Sequence, residues 1–287
     1  MTATLRSTSV AVRGIRSPIL QAGPSDATEA AVFVHGSPGG GDDWSDLLGQ
    51  VGDFARALAP DMPGYAGADS PTDFSYTVEG YAEHLGGLLD ELAIRRVHLV
   101  VHGFGGPWAL AWGVRHPAAL ASVTLINTGV LIDYHWRRYA KLWRTPIVGE
   151  VAMAQATRSG FRWLVGRDNP RLYPDAIDRI YAHFHPRSAR RAILKLYRAT
   201  PAKMLGNSSR ALRTLDRPAL VIWGTYDAYI QWDQAERQRQ SFPSARLELL
   251  EGLGHWPLFE DPWRVASLVV PFLREQIGVQ SGLQAST

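Results

Sequence analysis

Val97-His-Leu-Val-Val-His-Gly-Phe-Gly-Gly-Pro107 passes from one kind of local structure to another within a few residues. Val97–Val101 is a short apolar run rich in valine, the composition of a strand buried on both faces. Glycines at 103, 105 and 106 crowd a tight turn. From Gly105 to Arg115 the apolar residues fall at helical spacing, and His116-Pro117 ends the pattern. The same alternation continues outward in both directions. Upstream lie Ala31–His35, closed by the cluster Ser37-Pro-Gly-Gly-Gly41, then Phe54–Ala59, then a helical segment Val78–Leu92 with Thr77 as its N-cap. Downstream come strand runs at Val123–Ile126, Ala219–Trp223 and Arg246–Leu250, with helices at Trp232–Ser241 and Trp263–Gln276. Strands alternating with helices specify a mostly parallel sheet covered by helices on both faces, an α/β fold.

The texture changes after Gly129. Residues 129–205 place Trp, Tyr and Arg at helical spacing with almost no strand-like runs. Such a block, inserted between two strands of the sheet, predicts a helical cap (a lid) over the strands' carboxyl ends, where open α/β sheets bind ligands. The expected organisation is a core of 1–128 and 206–277, a cap of 129–205 and a disordered tail of 278–287. The cap holds twelve Arg and three Lys against five carboxylates, in a chain whose net charge is +3. Two readings fit: a basic insert that attracts an anionic substrate or an acidic surface, or a solvated helical face.

Several function classes are excluded or disfavoured. A net charge this small argues against a nucleic-acid partner. The chain has no cysteine, so thiolate catalysis and Cys-ligated zinc are out. No run of 18 apolar residues occurs, which predicts no membrane span. The first 23 residues lack the apolar core of a signal peptide, and a cytoplasmic protein, monomer or homodimer, is the expectation. Neither a phosphate-cradling glycine motif nor a metal-spaced cluster stands out, so no cofactor and no metal are expected.

Chemistry-bearing residues fall where the strands end: His35-Gly-Ser-Pro38, His102-Gly-Phe-Gly-Gly106, Asp227 after Val221-Ile-Trp-Gly224, and His255 after Gly254. With these residues in place, the chain resembles the α/β-hydrolase superfamily from about residue 8 to residue 276. Trp223-Gly-Thr-Tyr-Asp227 and Gly254-His-Trp256 resemble the contexts of the family's acid and histidine, and Asp61-Met-Pro-Gly-Tyr-Ala-Gly67 resembles its segment after the fourth strand. The resemblance implies an eight-stranded sheet and a nucleophile on a tight strand-to-helix elbow. By register that nucleophile belongs at 103. The chain has Gly103.

A hydrogen atom cannot attack carbon, so the family's covalent step is closed to the chain as it stands. Either a parent enzyme carried Asp or Ser at 103, or Gly103 is native and the scaffold binds without turnover or uses its acid–base pair non-covalently, as a lyase or cyclase does. His35-Gly-Ser-Pro38 and His102-x-Phe-Gly-Gly-Pro107 resemble the signatures of epoxide hydrolases and haloalkane dehalogenases, both of which use Asp. Ser37 and Phe104 stand where dehalogenases present paired amide or indole donors to the halide, which disfavours dehalogenation. A serine esterase or carbon–carbon hydrolase remains an alternative.

The resemblance implies the remaining roles. His255 is the general base, Asp227 orients its ring, and the backbone N–H groups of Ser37 and Phe104 form the oxyanion hole. Asp133 is a fallback acid. Tyr197 and Tyr139 are the candidates for polarising an epoxide oxygen, with Tyr134 an alternative to Tyr139, and Trp108 is a candidate for the pocket wall. Lid tyrosines and tryptophans also serve simply to pack helices. His35 and His102 are expected to be hydrogen-bonded scaffold rather than catalysts. The expected substrate is a small apolar or amphipathic molecule.

Overall fold

The computed structural model describes residues 2–284. Its strands are β1 (Arg6–Val12), β2 (Ile15–Ala22), β3 (Glu29–Val34), β4 (Arg56–Pro60), β5 (Arg96–His102), β6 (Leu120–Ile126), β7 (Ala219–Gly224) and β8 (Arg246–Leu250). They form one sheet in the order β1-β2-β4-β3-β5-β6-β7-β8. β1–β2 and β2–β4 pair antiparallel and the rest run parallel. The mostly parallel eight-stranded α/β-hydrolase fold expected from the resemblance is the fold observed.

The β1–β2 hairpin is not marked by any apolar run. Arg6–Val12 interleaves Ser, Thr and Arg because most of it is not buried, and the chain reverses at Arg13-Gly14, both at positive φ. The central strands differ. Every residue of β4, β6 and β7 is buried, and β7 reads as a continuous apolar run, while β4 and β6 bury Arg56, Ser122 and Thr124 among their apolar residues.

Ahead of β6 come α1 (Ser45–Gly52), α2 (Val78–Glu91) and α3 (Gly105–Arg115), and the insert between β6 and β7 opens with α4 (Arg138–Arg144) and α5 (Val148–Ala154). The same insert continues with α6 (Arg158–Asp168), α7 (Pro174–Phe184) and α8 (Arg187–Ala199), before α9 (Ser209–Leu215) returns to the sheet. α10 (Asp233–Arg237), α11 (Pro257–Glu260) and α12 (Pro262–Gln284) complete the chain. Thr77 caps α2 as expected, accepting the Gly80 N–H at 3.0 Å. One apolar core joins α2, α3 and the insert to one face of the sheet, and a second joins α1 and α12 to the other.

α12 runs from Pro262 to Gln284, beyond the Gly278 from which a disordered tail was expected, and residues 285–287 of that tail lie outside the described residues. A single glycine costs a helix about 1 kcal/mol against alanine, and no proline follows it to stop the pattern.

The register aligns the carboxyl ends of the strands. Val34 pairs with Val101, and His102 with Ile126, so the residues that follow β3, β5 and β6 emerge at one edge. Asp227 and His255 follow β7 and β8 at that same edge.

Candidate active site

Gly103 is the turn between β5 and α3 and has φ +51°. This is the left-handed region, which a glycine enters without steric cost. A Cβ built on it would stand 3.3 Å from Gly36 Cα and 3.9 Å from His255 Nε2. Thr128, just after β6, donates its hydroxyl to the Gly103 carbonyl and pins the turn.

His255 hydrogen-bonds through Nδ1 to Asp227 Oδ2 at 2.7 Å, which leaves Nε2 facing the elbow. Asp227 is buried and fully engaged. Its Oδ1 accepts the N–H groups of Tyr229 (2.7 Å) and Ile230 (2.9 Å), and its Oδ2 also accepts Asn127 Nδ2 at 2.8 Å. Burial pushes the Asp227 carboxyl up, but the His255 ring, the Asn127 amide and the backbone donors outweigh it and hold the carboxyl below its ordinary range. Asp227 is therefore a fixed negative charge beside the imidazole.

Three polar residues that no motif marked hold this pair in place. Asn127 follows β6, and its Oδ1 also accepts the Gly224 N–H at 3.1 Å. Glu260, at the end of α11, accepts the N–H groups of Gly254 (2.7 Å) and Trp256 (3.3 Å), on either side of His255. Its carboxyl is raised by burial. Asn169 comes from the insert, where it follows α6, and accepts the His255 N–H at 3.3 Å.

His102 and His35 are hydrogen-bonded, as expected of scaffold. His102 Nε2 donates to the His255 carbonyl at 2.8 Å, and burial pushes its pKa down to about 3, so the ring is neutral. His35 accepts the Met62 N–H on Nε2 (3.0 Å) and donates from Nδ1 to the Gly36 carbonyl (2.7 Å).

A cavity of about 370 Å³ opens over the elbow, between the sheet edge and the insert. Gly103, His255, Ser37 and Phe104 lie at its floor, and aromatic and aliphatic residues of the insert make its walls. Arg137 is the one Lys, Arg, Asp or Glu that lines it among the described residues. The Ser37 hydroxyl is engaged with Tyr65 Oη at 2.7 Å.

Tyr197 is a wall residue. Its ring packs between Phe104 (5.0 Å between ring centroids), Trp136 (5.3 Å) and Trp143 (4.9 Å), and its hydroxyl has no hydrogen-bond partner among the described residues. Burial raises that hydroxyl well above the usual tyrosine range, so it stays a proton donor.

One expected pocket residue, Trp108, and the fallback acid are corrected, while Tyr139 lines the cavity with its hydroxyl engaged by charged neighbours. The Tyr139 hydroxyl donates to Asp168 Oδ2 at 2.7 Å and accepts from Arg138 and Arg167. Trp108 is fully buried behind the pocket. It stacks on Tyr81 of α2 at 4.1 Å because its face of α3 packs against that helix, and Pro107 takes the place at the cavity. Asp133 is exposed and paired with Arg237, while Asp227 holds the histidine.

Comparison with known proteins agrees with the architecture. The model of the alpha/beta hydrolase family matches residues 31–268. A cis-3-alkyl-4-alkyloxetan-2-one decarboxylase of Xanthomonas campestris pv. campestris is 28% identical over 91% of this chain and 92% of its own length. A 2-hydroxymuconate semialdehyde hydrolase of Pseudomonas sp. strain CF600 is 29% identical, again over 91% and 92%. Among solved structures, a haloalkane dehalogenase loop variant from Bradyrhizobium elkanii superposes with a TM-score of 0.82 at 22% identity, covering 97% of this chain and 99% of that one. The chain is a member of the alpha/beta hydrolase family.

Proposed function

We propose that this chain is an epoxide-hydrolase-like member of the family whose aspartyl nucleophile position is vacant at Gly103, which closes the covalent half-reaction to it as it stands. The geometry at 103 carries this reading. A Cβ there would stand 3.9 Å from His255 Nε2, so a hydroxyl one bond further on, or a carboxylate oxygen two bonds further on, comes within reach of the imidazole. His255 and Asp227 remain poised around a group that is missing.

The roles follow from chemistry. With aspartate at 103, a carboxylate oxygen attacks a ring carbon of the epoxide, the C–O bond breaks, and Tyr197 protonates the alkoxide. His255 then takes a proton from water, and the resulting hydroxide attacks the ester carbonyl. The N–H groups of Ser37 and Phe104 hold the oxyanion until the diol leaves, and the imidazolium returns its proton to the tyrosinate. The apolar walls suit a small uncharged substrate.

A serine at 103 is the second reading, since the hydroxymuconate semialdehyde hydrolase is a comparably similar relative. The cavity disfavours the anionic substrates of such chemistry, because Arg137 at its lining is exposed and no other cation lines the cavity among the described residues. The oxetanone decarboxylase points the same way as the epoxide reading, since by its name it acts on a strained oxygen ring.

The test is to refill the position. Gly103→Asp is expected to hydrolyse epoxides and Gly103→Ser to hydrolyse esters, with only one giving substantial turnover. Either residue enters a left-handed backbone at a cost of about 1–2 kcal/mol, which a folded domain of this size tolerates. If neither variant exceeds the parent chain on panels of epoxides, haloalkanes and p-nitrophenyl esters, position 103 is not a vacated nucleophile site.

A further inference from the structure

Outside the cavity, one group of acidic and imidazole side chains converges among the described residues: Asp42, Asp43 and His183. The two aspartates sit on the short helical turn Gly41–Trp44 after β3, and His183 comes from α7 of the insert, so no local sequence spacing links them. One ligand-type atom from each lies within 4.8 Å of the other two. His183 Nε2 stands 3.1 Å from Asp42 Oδ1 and 3.3 Å from Asp43 Oδ1.

These contacts are close, yet they lack the geometry of hydrogen bonds. His183 is only 9% exposed, and its buried Nε2 has no hydrogen-bond partner; neither has the buried Asp43 Oδ1. A ring N–H that served only as a donor would turn onto one of the two oxygens. The separations are those between neighbouring ligands of a single ion. Bonds of about 2.0–2.2 Å meeting at tetrahedral to octahedral angles place donor atoms roughly 2.8–3.6 Å apart.

The surroundings hold the donors in place. Asp43 Oδ2 accepts the Gly40 N–H at 3.0 Å, which fixes that carboxylate and leaves Oδ1 on the side of His183. A Cβ on Gly40 would come within 2.8 Å of both Asp42 Oδ1 and His183 Cε1, so the approach of the three groups requires glycine there. The Asp42 side chain is 55% exposed, which gives an ion a path from solvent and leaves room for water ligands.

The donor set selects the kind of ion. Two carboxylates and a neutral imidazole supply two negative charges, oxygen ligands and one nitrogen. Magnesium prefers oxygen alone, whereas zinc and manganese accept this mixture. A proton on His183 competes for the same two carboxylates, and a metal ion displaces it.

We propose that Asp42, Asp43 and His183 form a binding site for one divalent transition-metal ion, which clamps α7 of the insert to the turn after β3. None of the three lines the cavity, so the ion takes no part in the chemistry there. Its effect is on shape: α7 lends Ile180 and Phe184 to the cavity wall, and the clamped turn follows the loop that carries Ser37. The proposal is independent of which residue once occupied 103.

The experiment is equilibrium dialysis of the full chain, stripped with chelator, against zinc, manganese or magnesium chloride at about pH 8, where the imidazole gives up its proton to a metal more readily. Bound metal is counted by mass spectrometry. One zinc ion per chain is expected, with manganese weaker and magnesium weakest, and zinc should raise the melting temperature by several degrees. Asp43→Asn and His183→Asn should each weaken zinc binding at least tenfold and abolish the rise. His185→Gln, which removes the exposed imidazole just past α7, should change neither. Circular dichroism checks that each variant folds, and nitrogen NMR of the histidine rings gives a readout that needs no variant: one equivalent of zinc should shift Nε2 of His183. Absence of stoichiometric binding overturns the proposal, as does a shift at another histidine instead or zinc binding that survives both ligand substitutions.

Discussion

Asn169, contributed by the insert, accepts the backbone N–H of His255 at 3.3 Å and donates to Tyr229 Oη at 3.2 Å and to the Val165 carbonyl at 3.0 Å. Its side chain therefore ties the end of α6 to the loop that carries the catalytic-type histidine. The residue is fully buried, so these bonds have no water to replace them.

Removing that side chain has a defined consequence. Asn169→Ala strands the His255 N–H and is expected to destabilise the fold by about 1–3 kcal/mol. In a Gly103→Asp background it should also lower kcat more than it raises KM, because the histidine loses its positioning while the cavity walls stay. Chemical denaturation and steady-state kinetics on both proteins check this. A stability loss with unchanged kcat would make Asn169 a packing residue only.

Tyr197 offers a cleaner separation between chemistry and packing. Its ring fills a slot among Phe104, Trp136 and Trp143, and phenylalanine preserves that contact. If the hydroxyl protonates the opening ring, Tyr197→Phe in the Gly103→Asp protein should cost roughly 10²–10³ in turnover, the usual price of one oxyanion donor, with the melting temperature nearly unchanged. A melting temperature that falls while turnover holds would place the residue in the packing class.

The contrast between Tyr197 and Tyr139 shows where the sequence stops being legible. Both sit at helical spacing in an aromatic, arginine-rich insert, and nothing local distinguishes them. What separates them is the packing of α4: it turns Tyr139 toward Asp168, whose position twenty-nine residues on is a tertiary fact. Trp108 fails for a similar reason, because the face of α3 it occupies is decided by α2. Gly103 and Asp227 were legible because each follows a strand buried almost throughout. His255, after the largely unburied β8, was legible from its Gly254-His-Trp256 context. All of these signals are local. Asn127 and Glu260 were not. A lone asparagine after β6 acquires its partner only because β6 lies beside β7 in the sheet, an adjacency no local pattern encodes.

A second tie between the insert and the sheet responds to pH. His183 of α7 lies 3.1 Å from Asp42 and 3.3 Å from Asp43, on the short helical turn after β3, where Gly40 leaves room for its ring. Burial opposes the charged ring, but the two carboxylates prevail and push the His183 pKa up to about 10. In the unfolded chain a histidine titrates near 6.5. Between these values the native state binds the extra proton, so stability falls as pH rises. The contribution is complete below about pH 6.5 and gone by about pH 10. His183→Asn should accordingly lower the denaturation midpoint most at pH 6 and converge with the parent near pH 10. Parallel curves across that range would mean that the ion pair carries no stability.

The chain as it stands makes the sharpest distinction between a vacated nucleophile and a native acid–base catalyst. With glycine at 103 no ester intermediate forms, yet the Asp227–His255 pair is assembled and the cavity is intact. Enzymes stripped of a triad member retain a residual ~10³–10⁴-fold catalysis over water, from the oxyanion hole and binding alone. A vacated site therefore predicts ordinary affinity for an epoxide, turnover at that residual level and little further loss on His255→Ala, because the base has no ester to hydrolyse. A lyase or cyclase that uses His255 directly predicts the reverse: fast turnover with Gly103, a single basic group in the pH–rate profile, and collapse on His255→Ala. Binding and turnover of one epoxide, measured on the unmodified chain and on His255→Ala, separate the two. The expected outcome is slow turnover with little dependence on His255, because the imidazole faces a position with no side chain to activate.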